Sequence, residues 1–211
     1  MGLKHWYEEK ILSKFITKAC GQENITRLRA QVVPLAEGRV LELGCGGGLN
    51  QPLYDHGKVT SLAGIDPGEA LLDGARERAK EQGWDVDFRL GVGEDIPFPD
   101  GEFDTIVCTF TLCSVQDQSR VIAELRRVLK PGGKLLYLEH GRAPDATPQK
   151  WQRRLEPVWK PLMGNCHLTR EIGAALRKSG FETQAIGQGY QPDVPRWAGW
   201  MEWGAARRLG V

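Results

Sequence analysis

The chain has 211 residues, 41% hydrophobic and 26% charged, enough apolar material for one full core and the profile of an ordinary globular protein. Its 28 basic residues nearly balance 27 acidic ones, so the formal net charge of +1 provides no general field for nucleic acid or anionic lipid, and a small molecule is the expected partner. No apolar run reaches the ~18 residues needed to cross a bilayer, and Lys4, Glu8, Glu9 and Lys10 stand where a signal peptide would be apolar, which predicts a cytoplasmic protein. The five cysteines include no CxxC pair; they fit neither a disulfide framework nor a structural zinc site and are read as reduced thiols, with no metal ligands assigned.

In chain order, Ile11, Leu12, Phe15, Ile16 and Ala19 share one helical face opposite Lys10, Lys14 and Lys18, which predicts an amphipathic helix over 7–20. It packs on the domain, caps the site or rests on a membrane surface. A second helix over 24–35 completes a helical cap spanning 1–38, and residues 39–211 form the main domain. From Gly38 onward, short apolar runs alternate with helical patterns, the signature of a parallel sheet with crossover helices. Strands are expected over 39–43, 61–65, 86–90, 103–110 and 134–140, with helices over 69–82 and 118–129, the latter closed by Pro131-Gly132-Gly133. The stretch 141–166 interleaves Pro144, Pro148, Pro157 and Pro161 with Trp151 and Trp159 and reads as an insertion, a lid or substrate wall. A helix begins with Thr169 as N-cap and ends at Gly180, and 182–187 and 197–207 supply the last two strands.

Three loops carry chemistry. Val40-Leu41-Glu42-Leu43-Gly44-Cys45-Gly46-Gly47-Gly48 is a buried strand turning through glycines, which let the backbone take positive φ and a ligand approach closely. A dinucleotide fingerprint would need a glycine where Leu49 stands, and Glu42 would repel a diphosphate while suiting a ligand with an ammonium and a sulfonium. Charge sign therefore favours S-adenosylmethionine. Asp66 ends the next strand before Pro67, placed to accept both ribose hydroxyls, or else to cap the following helix. Gly93, Glu94 and Asp95 follow the third strand and can pair with an adenine edge, with Ile96 and Phe98 as apolar surface; a solvated acidic turn is the alternative.

The segments LELGCGGG, GIDP, GEDIPFPDGEFDTIV and RRVLKPGGKLLYLEH together resemble the class I S-adenosylmethionine-dependent methyltransferases. The stretches CTFTLCSV (108–115), LEH (138–140) and CHLTRE (166–171) are similar to the methyltransferase-like alkyl-thiol methyltransferases and their bacterial relatives. The resemblance implies a single-domain, Rossmann-like, doubly wound α/β sheet of seven strands with the last antiparallel. It assigns cofactor roles to Glu42, Gly44, Gly46, Asp66, Gly93 and Glu94, and the surrounding loops add Cys45, Pro67, Asp95 and Thr109. Many members carry Asp where this chain has Val92, so the adenine contact falls to Glu94, Asp95 or backbone. The mammalian thiol enzymes also begin with a hydrophobic anchor, where this chain has only the amphipathic helix.

Methyl transfer from a sulfonium requires alignment and water exclusion more than covalent machinery. His140, at the carboxyl end of the fifth strand, is the first candidate for general base or substrate orienter, and His167 the second; each is otherwise an ordinary hydrogen-bonded histidine. Cys113, Trp151 and Trp159 are candidates for the acceptor pocket, with core or lid packing as the plain alternative. The expected acceptor is small and fairly apolar, a thiol first, with an amine, phenol, quinone or phospholipid head group as rivals. A non-catalytic cofactor-binding module is the alternative from a different class.

Overall fold

The computed structural model describes residues 20–209, so the helix expected over 7–20 lies almost wholly outside the described residues. The strands are β1 (Gly38–Leu43), β2 (Val59–Asp66), β3 (Val86–Leu90), β4 (Phe103–Thr109), β5 (Leu129–His140), β6 (Phe181–Tyr190) and β7 (Trp200–Arg208). Around them lie α1 (Glu23–Val32), α2 (Glu69–Glu81), α3 (Gln118–Val128), α4 (Ala146–Leu162) and α5 (Ile172–Lys178). The strands form one sheet in the order β3-β2-β1-β4-β5-β7-β6, with β7 antiparallel to both neighbours and the other pairs parallel. This is the seven-stranded, doubly wound sheet expected from the sequence.

Alternate residues of the central strands serve two apolar layers. Leu41 and Leu43 of β1, Ile106 and Cys108 of β4 and Leu135 and Tyr137 of β5 pack with Val121, Ile122, Leu125 and Val128 of α3 and Ile172 and Leu176 of α5. The intervening Val40, Val107 and Leu136 pack with Val32 of α1 and Leu72, Ala75 and Ala79 of α2. Burial on both faces explains why β1 and β4 read as continuous apolar runs rather than alternating ones. β1 runs out to β2 and β3 on one side, while β4 and β5 lie on the other, so the strand order reverses between β1 and β4. Open α/β sheets form their ligand crevice at the carboxyl ends of strands flanking such a reversal.

Several boundaries differ from expectation. α3 starts on Asp117, whose side chain accepts the Arg120 backbone N–H at 3.0 Å, but it stops at Val128, and β5 begins at once with Leu129. Pro131-Gly132-Gly133 therefore lies inside β5: Leu129 pairs with Phe103 and Lys134 with Thr105, so four residues of β5 face Asp104 alone. Proline lacks a ladder donor and Gly132 takes φ +76°, which confines the irregularity to a bulge. β6 continues past 187 because another bulge falls between Ala185 and Gly187, and the pairing then resumes as far as Tyr190. β7 starts at Trp200, so Trp197 precedes it.

The proline-rich stretch after β5 is mainly the 17-residue helix α4. Pro148 falls in its first turn, where no intrahelical donor is lost, while Pro157 and Pro161 fall in its last two turns, near its C-terminal end. The helix preceding β6 does not begin at Thr169. It begins after Glu171, and Thr169 instead donates its backbone N–H and its hydroxyl to Glu156 Oε2 of α4, both at 2.8 Å. Thr169 thus ties the segment to α4 rather than capping α5.

Candidate functional site

At the carboxyl ends of β1, β2, β4 and β5 lies a cavity of about 680 Å³, within the range of small-molecule sites. Its near wall is the turn after β1. Gly44 takes φ +68°, and a Cβ there would overlap Thr111 Oγ1; Gly46 takes φ +49°. Thr111 and the positive φ thus require glycine at 44, while at 46 it is the positive φ that does so, a Cβ there meeting open space. Asp66, at the end of β2, secures this turn: its Oδ2 accepts the Gly46 N–H and its Oδ1 the Gly68 N–H, both at 2.9 Å. The carboxylate is thus pinned by backbone donors on both sides, at the β1 turn and at Gly68 ahead of α2, and lines the cavity with Pro67. Burial raises its pKa above the ordinary carboxylate value, against those two backbone bonds.

Glu42 is buried and heads a polar network. Its Oε1 accepts from Asn50 Nδ2 at 2.7 Å and its Oε2 from the Tyr54 hydroxyl at 3.0 Å. The Arg29 guanidinium, itself buried, donates to Asn50 Oδ1 at 2.5 Å and to Thr109 Oγ1 at 2.7 Å. Burial pushes the Glu42 carboxyl up to about 7, although Tyr54, Asn50 and the Arg29 charge favour its ionised form. Arg29 was not anticipated from sequence, since in α1 it reads as one more solvated helix charge; only packing of α1 over β5 and β7 buries it. Cys45 lines the same wall, and burial holds its thiol far above the usual range, so it is a packing group.

The far end of the cavity is built from thiols, an imidazole and aromatic rings. Cys113 and Cys166 are buried with their sulfurs 3.7 Å apart, and His140 Nδ1 lies 3.5 Å from Cys166 Sγ. The contact with Cys113 and the imidazole lower the Cys166 pKa well below its ordinary value against the effect of burial, and the Trp159 indole N–H, otherwise unpartnered among the described residues, adds to this. The Cys113 thiol is pushed up in turn, because its neighbour holds the charge. Burial disfavours the charged form of His140, but the Cys166 sulfur outweighs it and raises the imidazole pKa. Phe110, at φ +58°, packs edge-on against His140 with ring centres 5.5 Å apart, a strained backbone position beside the site. Trp159 meets Trp197 edge-on at 5.4 Å.

Backbone bonds hold this end rigid. The buried Glu139 carboxylate accepts the N–H groups of Thr111, Leu112 and Cys113, each at 3.0 Å, and His167 donates its backbone N–H to Cys113 O at 2.8 Å. Arg170 donates to the carbonyls of Leu112 and Val115, both at 2.7 Å. Glu139 and Arg170 escaped sequence analysis because their partners are backbone groups distant along the chain.

Of the residues expected at the site, Glu42, Gly44, Cys45, Gly46, Asp66, Pro67, Gly93, Glu94, Thr109, Cys113, His140 and Trp159 line the cavity. Three do not. Trp151, in the first half of α4, is exposed to solvent and does not reach the cavity. The His167 ring turns away to Glu156 Oε1, 3.6 Å from Nδ1, and burial and nearby cations hold its pKa down. Asp95 is exposed and bridges to Val92. Glu94 reaches the cavity, but its Oε1 is bound by the N–H groups of Gln116 and Asp117, at 2.9 and 3.1 Å.

A glycine turn and two acids thus line one cavity at the reversal point of this sheet. Residues 41–137 match the methyltransferase-domain family. The chain is 38% identical over 167 residues to the thiol S-methyltransferase TMT1B of Homo sapiens, covering 77% of this chain and 67% of that protein. It is 35% identical over 139 residues to the phosphatidylethanolamine N-methyltransferase of Cereibacter sphaeroides, covering 64% of this chain and 68% of the relative. The crystal structure of a SAM-dependent methyltransferase from Thermotoga maritima superposes with a TM-score of 0.71 at 21% identity, covering 98% of this chain and all of that one, a likeness of fold. The chain belongs to the class I S-adenosylmethionine-dependent methyltransferases and is an enzyme using that cofactor. The matched stretch spans about two thirds of these relatives' length. No described helix is long and apolar enough to cross a membrane.

Proposed function

We propose that the enzyme methylates the sulfur of a small, fairly apolar thiol. The observation that carries this reading is the continuity of one cavity from the Gly44–Gly46 turn and Asp66 to the apolar, sulfur-rich end holding His140, Cys113, Cys166 and Trp159. Identity to a named thiol S-methyltransferase supports it further. The donor supplies a methyl group on positively charged sulfur. The backbone of Gly44, Cys45 and Gly46 and the pinned carboxylate of Asp66 beside Pro67 hold its sugar and amino-acid part, while Gly93 and the backbone of Glu94 meet the adenine. Thr109 acts indirectly, by fixing Arg29 behind Glu42.

At the acceptor end, Trp159, Phe110 and Cys113 form a wall that excludes water. A free thiol has a pKa of about 8.5 and reacts as the thiolate, so a positive neighbour favours it. His140, whose imidazole pKa the adjoining Cys166 sulfur raises, stands beside the acceptor and orients it. His167 is not assigned a catalytic role. The described part of the N-terminal cap, residues 20–38, is proposed to close the cavity, which Cys20, Gln22, Asn24, Ile25 and Arg29 reach, and 141–166 to form its outer wall. The reading goes with reduced cysteines and a cytoplasmic enzyme, as the lack of a CxxC pair or disulfide framework in the sequence suggests. The near balance of charge disfavours a nucleic-acid acceptor.

An amine of a phospholipid head group is the second reading, favoured by the likeness to a phosphatidylethanolamine N-methyltransferase. Transfer of labelled methyl from the donor to a panel of alkyl and aryl thiols, amines, phenols and phosphatidylethanolamine vesicles separates the two. S-methyl products are expected; transfer to the lipid alone, with none to any thiol, refutes the first reading.

A further inference from the structure

We propose that Cys113, Cys166 and His140 form a binding site for one thiophilic divalent cation, Zn²⁺ by preference, with the fourth position open to the cavity. The donor atoms of the three residues all lie within 4.8 Å of one another. Zinc takes tetrahedral sulfur and nitrogen ligands at about 2.3 and 2.0–2.1 Å, so a closed site has S···S edges of about 3.8 Å and S···N edges of about 3.5 Å. The observed Cys113–Cys166 sulfur separation is 3.7 Å, and Cys166 Sγ to His140 Nδ1 is 3.5 Å. Two edges of the tetrahedron are therefore present before any ion arrives.

The supports of this triad are those of a coordinating site. Glu139, the neighbour of His140, grips the backbone of the Cys113 loop, and the His167 N–H ties the Cys166 segment to Cys113 O, so three ligands from β5 and two loops are held to one point. Outer partners of this kind preorganise ligands. Glu139 and Arg170 both bind the backbone of the loop that carries Cys113, the first its N–H groups and the second its carbonyls. Cys113, Cys166 and His140 all line the cavity that holds the cofactor turn, and three protein ligands with one open position is the pattern of catalytic rather than structural zinc.

The cation site stands on geometry alone; its use rests on the thiol reading above. An acceptor thiol entering the fourth position displaces water, forms a metal–sulfur bond and releases its S–H proton to solvent, and is thereby held as thiolate. Ligation takes Cys113 and Cys166 as thiolates and His140 as neutral imidazole, so ion binding releases their protons to solvent.

Cobalt titration of the full, reduced chain tests the site. One equivalent of Co²⁺ should give thiolate-to-metal charge-transfer absorption and intense tetrahedral bands, displaced by Zn²⁺. Cys113→Ser, Cys166→Ser and His140→Ala should each weaken binding by more than the 10–100-fold that loss of an outer partner costs. Bound Zn²⁺ should also protect Cys113 and Cys166 of the unmutated protein from alkylation while half-buried Cys20 still reacts, a readout that survives if a variant fails to fold. Absence of stoichiometric binding by the reduced protein, or binding unchanged in both serine variants, overturns the proposal. A thiol-dependent change in the cobalt spectrum supports the acceptor's place as fourth ligand. Metal binding without any methylation of thiols would leave the site intact and refute the acceptor reading, and the converse result would do the opposite.

Discussion

Glu42 and Asp66 look alike in sequence, two acids at the ends of adjacent strands, but their environments separate them. Asp66 is pinned by two backbone donors, whereas Glu42 is wholly enclosed and shares one side-chain partner, Asn50, with Arg29. A folded-state carboxyl at about 7 against an ordinary 4.5 means that the folded protein binds this proton more tightly than the unfolded chain. Stability of the unliganded protein should therefore fall as pH rises from the unfolded value toward about 7, and level off above it. A positively charged donor favours the ionised form, so below about 7 its binding must also expel a proton. Donor affinity measured by calorimetry should weaken as pH drops below this point, by up to about tenfold per unit, and should become flat with pH in Glu42→Gln. A flat profile in the unmutated protein would remove Glu42 from donor recognition.

Among the elements, α3 was legible because Val121, Ile122, Leu125 and Val128 recur on one face behind an Asp N-cap. Leu125 is wholly buried between α3 and the sheet, so Leu125→Ala should destabilise the protein by about 2–5 kcal/mol without altering donor affinity in the folded fraction, as read by denaturant unfolding. Elements whose form depends on distant pairing were less legible. Pro131-Gly132-Gly133 carries every local mark of a turn, yet the ladder between β4 and β5 absorbs it as a bulge. Gly187 and Gly189 likewise mask the continuation of β6, which only pairing with β7 reveals. α4 was hidden by its prolines, because local propensity penalises what tertiary contacts such as Gln152 to Gly141 O and Glu156 to Thr169 sustain.

For the whole molecule, the cavity draws its walls from α1, the ends of four parallel strands, α4 and the loops before β7, so occupation couples distant parts of the chain. A donor at 100 times its dissociation constant should add about 2.7 kcal/mol of unfolding free energy. For a protein of this size that corresponds to a rise in melting temperature of about 5–10 °C in a thermal-shift assay. Asp66→Ala, which releases Gly46 and Gly68 as well as a ligand-facing carboxylate, should abolish most of that rise at the same donor concentration. An undiminished shift would place the donor elsewhere.

The alternation of strands and crossover helices, the glycine turn after β1 and the acids Glu42 and Asp66 were legible in the chain itself, because each rests on residues close in sequence: periodic apolar runs, glycines within five positions, an acid at a strand end. What lies beyond that was decided by tertiary structure. Cys113 and Cys166 are 53 residues apart, and Cys166 and His140 are 26 apart, so no spacing rule flags them as one cluster, and sequence alone assigned no metal ligands. Arg29 is an ordinary helix charge until α1 folds over the sheet, and nothing local shows that Trp151 faces solvent or that the His167 ring turns to Glu156. Local pattern specifies backbone form, whereas which side chains meet in one cavity depends on the long-range pairing that closes it.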